Sequence, residues 1–209
     1  MRFLVIEGNI GAGKTTLSKM FAKDYNAKLV LEQFADNPFL PKFYDDQERY
    51  SFPLELSFLA DRYSQIKKQV LNLDLFHSFL VSDYYFAKSA IFAKNTLQDD
   101  EYHLFRHIFD IVFESMPKPD LYVYLHSVTS RLLSNIEKRG RDYEQDIKPG
   151  YLEKIQNGYF HFFKQTTTFP ILIIDINNID FVNNPNHYQL LKDAVFNRDY
   201  KLGINRLIL

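Results

Sequence analysis

The chain has 209 residues, 46% hydrophobic and 24% charged, which is long enough for one full hydrophobic core and has the composition of a globular protein. Its net charge of -1 argues against a protein that binds nucleic acid by neutralising many phosphates, so the expected partner is a small molecule. Cysteine is absent, which excludes disulfides, thiolate chemistry and cysteine-ligated metal centres, and the six histidines are read as surface or core residues rather than metal ligands.

Met1-Arg2 runs without a signal-peptide pattern into a strand-sized apolar run at 3–6. No apolar run is long enough for a membrane span, so a single cytoplasmic domain over 1–209 is expected. The string Gly8-Asn9-Ile10-Gly11-Ala12-Gly13-Lys14-Thr15-Thr16 follows, and 15–24 has helical character. A second strand is expected at 29–31, then a helix over 53–72 with Leu56, Leu59, Tyr63 and Ile66 at helical spacing. Further strands are expected at 79–81, 121–125 and 171–174, with helices over 103–115 and 127–138. Residues 177–186, rich in Asn and closed by Pro185, read as a loop, and no role is legible from Lys201 onward. Short, nearly continuous apolar strands alternating with helices predict an α/β fold: a parallel sheet of about five strands with helices on both faces.

Gly8-x-x-x-x-Gly13-Lys14-Thr15 is a Walker A loop between a strand and a helix. Such a loop turns backbone N–H groups around phosphate oxygens, Lys14 reaches the β and γ phosphates, and Thr15 offers its hydroxyl to Mg²⁺. The guanine-reading Asn-Lys-x-Asp string of a GTPase is absent, and no apolar run ends in the paired acids of a motor ATPase. A small-molecule kinase also needs a mobile basic segment, and Lys138-Arg139-Gly140-Arg141 opens one at about 138–150. Arg139 and Arg141 suit the equatorial oxygens of a transferring phosphoryl group.

With these motifs the chain resembles the deoxynucleoside kinase family over nearly its whole length. The resemblance rests on Glu7 through Thr16, Leu31-Glu32, Asn37-Pro38-Phe39-Leu40-Pro41-Lys42-Phe43-Tyr44, Arg139-Gly140-Arg141 and Tyr151-Leu152-Glu153-Lys154. The third of these looks most like bacterial purine deoxynucleoside kinases. The resemblance implies a P-loop kinase fold with an arginine lid, a homodimer, and ATP- and Mg²⁺-dependent phosphorylation of a deoxynucleoside 5'-hydroxyl. It makes Glu32 the carboxylate that takes the hydroxyl proton and assigns the sugar 3'-hydroxyl to Tyr44 and Glu153. It also places the loop from Asp175 to Phe181 against the ATP adenine.

Three departures stand out. Glu55 occupies the position where many relatives read the base with a glutamine. Arg62 matches a base-pocket arginine, and Ser89 stands where several relatives have the partner aspartate; an ion pair between Glu55 and Arg62 is therefore expected. Asp83-Tyr84-Tyr85 keeps the family acid, a water-mediated Mg²⁺ ligand or rival base, but lacks the arginine that follows it. Lys88, one helical turn beyond Tyr84, is a candidate replacement. Asn135 replaces another lid arginine. A nucleoside monophosphate kinase and a regulatory subunit without turnover are the competing readings, the second supported by Tyr84.

Overall fold

Strands and helices alternate along the chain. A computed structural model describes residues 1–33, 37–71 and 76–209. β1 (Phe3–Gly8) leads into α1 (Lys14–Asp24), β2 (Lys28–Val30), α2 (Leu40–Asp45), α3 (Gln47–Leu71) and β3 (Leu80–Ser82). There follow α4 (Lys88–Thr96), α5 (Asp99–Phe113), β4 (Leu121–His126), α6 (Thr129–Arg139) and α7 (Pro149–Gln165), and then β5 (Pro170–Asp175), α8 (Pro185–Phe196) and β6 (Gly203–Ile208).

The strand order is β2-β3-β1-β4-β5-β6 and every pairing is parallel. Side chains alternate across this sheet with period two. Phe3, Val5, Tyr122, Tyr124, Ile171 and Ile173 join one core with residues of α3, α4, α5 and α7. Leu4, Ile6, Val123, Leu125, Leu172 and Ile174 join the other with residues of α1, α6 and α8. Phenylalanine and tyrosine fill the first core: Phe86, Phe109 and Phe113 stack at centroid spacings of 5.1 and 5.0 Å. This packing explains much of the chain's aromatic content.

The sheet has six strands rather than five. β6 comes from the terminal residues in which no element was legible, and its residues alternate between half-buried and exposed. It therefore lacks the continuous apolar run of a strand covered on both faces. Pro185 does close a loop, but it also begins α8, whose first N–H groups are capped by Asn184. The capping box of Gln98 and Glu101 starts α5 four residues before the expected position.

β1 lies between β3 and β4, so the chain's path across the sheet reverses there. In open parallel sheets ligands bind outside the carboxyl ends of the strands at such a point. The Walker loop leaves β1 at this edge, Glu32 follows β2, and Asp83 follows β3.

Candidate active site

Two glycines determine how closely the Walker loop is wrapped. Gly11 and Gly13 have φ of 83° and 84°, where side chains are strained, and a Cβ on each would meet the Leu132 carbonyl oxygen at 2.6 Å and Phe181 Cζ at 2.9 Å. The loop is thus pressed against α6 on one side and the segment after β5 on the other. Asn135 Nδ2 donates to the Gly11 carbonyl at 2.9 Å, and Asn9 Nδ2 donates to the Leu152 carbonyl at 2.7 Å. Asn135, which lowers lid charge in the sequence, serves here as a strut between α6 and the loop. Lys14 Nζ donates to the Asn9 carbonyl at 2.9 Å, and burial, reinforced by the nearby Lys88 charge, lowers its pKa to about 8.

The Thr15 hydroxyl donates to Asp83 Oδ2, and Asp83 Oδ1 accepts the Glu32 backbone N–H at 2.8 Å. One carboxylate therefore connects the Walker loop to the residue expected to touch the reacting hydroxyl. Glu32 Oε1 accepts from Arg62 Nε at 2.9 Å and from Arg62 Nη2 at 2.7 Å, while Lys88 Nζ donates to Oε2. Burial alone would raise the Glu32 pKa, but the charges of Lys88 and Arg62 outweigh it and hold the carboxyl at about 2. Arg62 Nη1 also donates to Ser89 Oγ at 2.8 Å. Phe58 lies 4.9 Å from the Arg62 guanidinium carbon, and Phe92 lies 5.2 Å from Lys88 Nζ.

A sequence model for the family described as "Deoxynucleoside kinase" matches residues 4–198. The chain belongs to the deoxynucleoside kinase family. A Bacillus subtilis (strain 168) deoxyguanosine kinase is 35% identical over 191 residues, covering 90% of this chain and 92% of the relative. A deoxyadenosine/deoxycytidine kinase of the same organism is 30% identical over 199 residues, covering 92% and 90%. A deoxyadenosine kinase from M. mycoides, solved with bound dATP, is 26% identical with a TM-score of 0.80, covering 92% of this chain and 98% of that one. The chain is an enzyme, a phosphotransferase that converts a deoxynucleoside to its monophosphate. This sets aside the monophosphate kinase and the subunit without turnover.

Within this deoxynucleoside kinase, Tyr84 and Lys88 both bear on the Glu32 segment, where the resemblance leads one to expect an arginine. Tyr84 is fully buried and donates to Gln65 Oε1 at 2.6 Å, while Gln65 Nε2 donates to the Leu31 carbonyl at 2.9 Å. Tyr84 thus braces the residue before Glu32, and the positive charge comes from the buried Lys88. The expected ion pair of Glu55 with Arg62 does not form. Arg62 is committed to Glu32 and Ser89, and Glu55 Oε1 instead accepts from the Thr96 hydroxyl at 2.9 Å. Burial raises the Glu55 pKa to about 7, against the lowering effects of Arg62 and of the Thr96 hydrogen bond.

The lid arginines of the kinase both pair with Glu144, in a single 3₁₀ turn at Asp142–Glu144. Glu153 lies exposed in the second turn of α7, and Tyr44 lies in α2 with its side chain outside the described residues. Asp175 accepts from Asn177 N and Nδ2 at 2.9 and 3.2 Å and shapes the turn after β5. Arg131 holds that turn through the carbonyls of Asn177 and Ile179.

Sequence reasoning missed several residues that organise the site. Glu7 is fully buried in β1 and accepts from Tyr85 N at 2.9 Å, Gly8 N at 3.2 Å and the Tyr159 hydroxyl at 2.9 Å. It ties the loop's first glycine to β3 and α7, and burial raises its pKa. A carboxylate inside an otherwise apolar strand was the available signal. Gln65, Thr96 and Arg131 carried none, since each acts through a partner far away in sequence.

Proposed function

We propose that this enzyme transfers the γ-phosphoryl group of ATP, with Mg²⁺, to the 5'-hydroxyl of a purine deoxynucleoside, deoxyadenosine first. The observation that carries this reading is the Glu32 carboxylate, clamped by Arg62 and Lys88 at the strand ends and linked through Asp83 to Thr15 of the Walker loop. The Thr15 hydroxyl and the Asp83 carboxylate suit a hard cation. Among the described residues no group of three or more His, Cys, Asp or Glu could hold a metal ion by itself, so nucleotide phosphates and water would have to supply most of the ligands. A bound Mg²⁺ would neutralise charge developing on the phosphate oxygens.

Lys14 exchanges the Asn9 carbonyl for β and γ phosphate oxygens, and Arg139 and Arg141 exchange Glu144 for the transferring group. Glu32 accepts a hydrogen bond from the 5'-hydroxyl and orients it in line with the phosphorus. At about 2 its pKa makes it a weak base. That is compatible with a loose transition state, in which phosphoryl transfer needs little prior deprotonation and the proton moves late. Arg62 and Lys88 hold the carboxylate in place, Tyr44 and Glu153 receive the 3'-hydroxyl, Glu55 faces the base, and the loop from Asp175 to Phe181 covers the ATP adenine.

The reading extends to a cytoplasmic homodimer. No helix among the described residues is long and apolar enough to cross a membrane. Leu104 and Ile111 project from α5 at 53% and 65% exposure and offer apolar surface to a second copy. Sedimentation at micromolar concentration tests the dimer.

The reaction is tested by incubating the protein with Mg-ATP and each deoxynucleoside or its monophosphate, and assaying ADP and product. Deoxyadenosine monophosphate should form fastest, and Glu32→Gln should lower kcat by about 10² or more. Turnover of monophosphates alone, or an unaffected Glu32→Gln variant, would overturn the proposal.

A further inference from the structure

Glu55 is almost fully buried in α3, and its two carboxylate oxygens differ in their surroundings. Oε1 is 2.9 Å from the Thr96 hydroxyl, whereas Oε2 has no hydrogen-bond partner among the described residues. The Thr96 hydroxyl also lies 3.2 Å from the Phe92 carbonyl oxygen. A hydroxyl has one hydrogen, so an ionised Glu55 and the Phe92 carbonyl would compete for it. Both contacts are satisfied together when Glu55 carries a proton, donates to Thr96 Oγ1, and leaves Thr96 free to donate to Phe92. The charged groups acting on Glu55 are Arg62 from its own helix, Lys88 from α4 and Glu32 beyond β2. Glu32 draws both cations to itself through direct hydrogen bonds, so neither is bonded to Glu55.

We infer that Glu55 is a specificity-determining residue whose protonation state selects the base: the neutral acid takes adenine or cytosine, and the carboxylate takes guanine. This rests on the proposed placement of Glu55 against the base. The chemistry follows from counting donors. A neutral carboxyl has one O–H donor and one carbonyl acceptor. With a base bound the proton leaves Thr96 for Oε2, unpartnered among the described residues, and donates to the ring nitrogen of adenine or cytosine, while Oε1 accepts from the exocyclic amino group and from the Thr96 hydroxyl, as a glutamine amide oxygen would. A carboxylate has two acceptors and no donor, which match the two adjacent N–H groups of guanine. Thr96 serves both states, because its hydroxyl can turn between Oε1 and the Phe92 carbonyl. Burial supports the assignment by lifting the Glu55 pKa to about 7, so both forms are populated near neutrality. Relatives that act on guanine and relatives that act on adenine or cytosine resemble this chain to comparable degrees.

The test is the ratio of kcat/KM for deoxyadenosine to that for deoxyguanosine, measured with Mg-ATP from roughly pH 6 to pH 8 at constant ionic strength. Titrations that affect phosphoryl transfer act on both nucleosides and cancel in the ratio. In the parent enzyme the ratio should fall by about tenfold per pH unit, following the ratio of neutral to ionised carboxyl. In Glu55→Gln it should stay flat and favour deoxyadenosine throughout. A flat parent ratio, with Glu55→Gln still changing the ranking, would overturn the protonation inference and leave Glu55 as a base reader. An identical ranking in both proteins would remove Glu55 from the base and the inference with it. Absence of turnover with either nucleoside would instead overturn the proposed function on which this inference rests.

Discussion

Lys88 and Glu32 form a buried ion pair from α4 to the end of β2, on the carboxylate oxygen that Arg62 does not use. Two cations thereby enclose one carboxylate, and the lysine supplies the positive charge that the residues after Asp83 lack. The arrangement orders Glu32 at the expense of its basicity. An anion held by two fixed donors is well placed to orient a hydroxyl and poorly placed to deprotonate it in advance.

Replacing Lys88 with Met removes one of these restraints while keeping the aliphatic stem. We predict a loss of about 2 kcal/mol in stability, below the 3–5 kcal/mol typical of a broken buried pair because Arg62 still compensates Glu32. We also expect a fall of about 10² in kcat, with Lys88→Arg recovering part of it. Chemical denaturation and steady-state kinetics together check this; a Lys88→Met enzyme with unchanged kcat would make the lysine merely structural.

Glu55 and Glu32 should give the stability curve opposite slopes. The Glu55 pKa is raised in the folded state to about 7 from 4.5, so the folded protein binds its proton more tightly and stability declines as pH rises through that window. The Glu32 pKa is lowered to about 2, so its contribution is present above 4.5 and is lost as pH falls toward 2. Glu55→Gln cannot ionise. Relative to the parent it should gain about 3 kcal/mol on going from roughly pH 5 to pH 8.5. Thermal melts across that range decide it, and parallel curves for the two proteins would contradict the assignment.

Glu144 pairs with both Arg139 and Arg141, and under the proposed function it would compete with phosphate for them. Glu144→Gln should therefore lower the KM for ATP by about threefold, equivalent to the roughly 0.7 kcal/mol worth of a partly exposed pair, and leave the nucleoside KM unchanged. A lower kcat with an unaltered ATP KM would show instead that Glu144 holds the arginines in their working position.

Gly13→Ala should be damaging for two separable reasons. The residue has a φ of 84°, and its new methyl would lie 2.9 Å from Phe181 Cζ. We predict a loss of about 1–3 kcal/mol in stability and ATP binding too weak to measure. Adding Phe181→Leu should relieve the clash and recover part of the stability while the backbone strain persists. Calorimetry of the single and double variants separates the two contributions.

By itself the sequence determined the parallel α/β architecture, the Walker loop and the edge of the sheet where the chemistry sits, because these depend on local patterns. Apolar runs, glycine spacing and helix periodicity act between residues close in the chain. It missed β6, whose half-covered residues carry no such pattern, and the buried carboxylate of Glu7, whose partners Tyr85 and Tyr159 are brought to it by other elements. The pairing of charges was decided only by the tertiary structure. Spacing within α3 placed Glu55 and Arg62 on the same helix, but Glu32 after β2 and Ser89 on α4 claimed the arginine. Lys88 was legible only as a candidate for the missing charge, and the packing of α4 is what buried it beside Glu32. Electrostatic partnership falls steeply with distance and strengthens on burial, so it is settled by which elements meet in space rather than by their order along the chain.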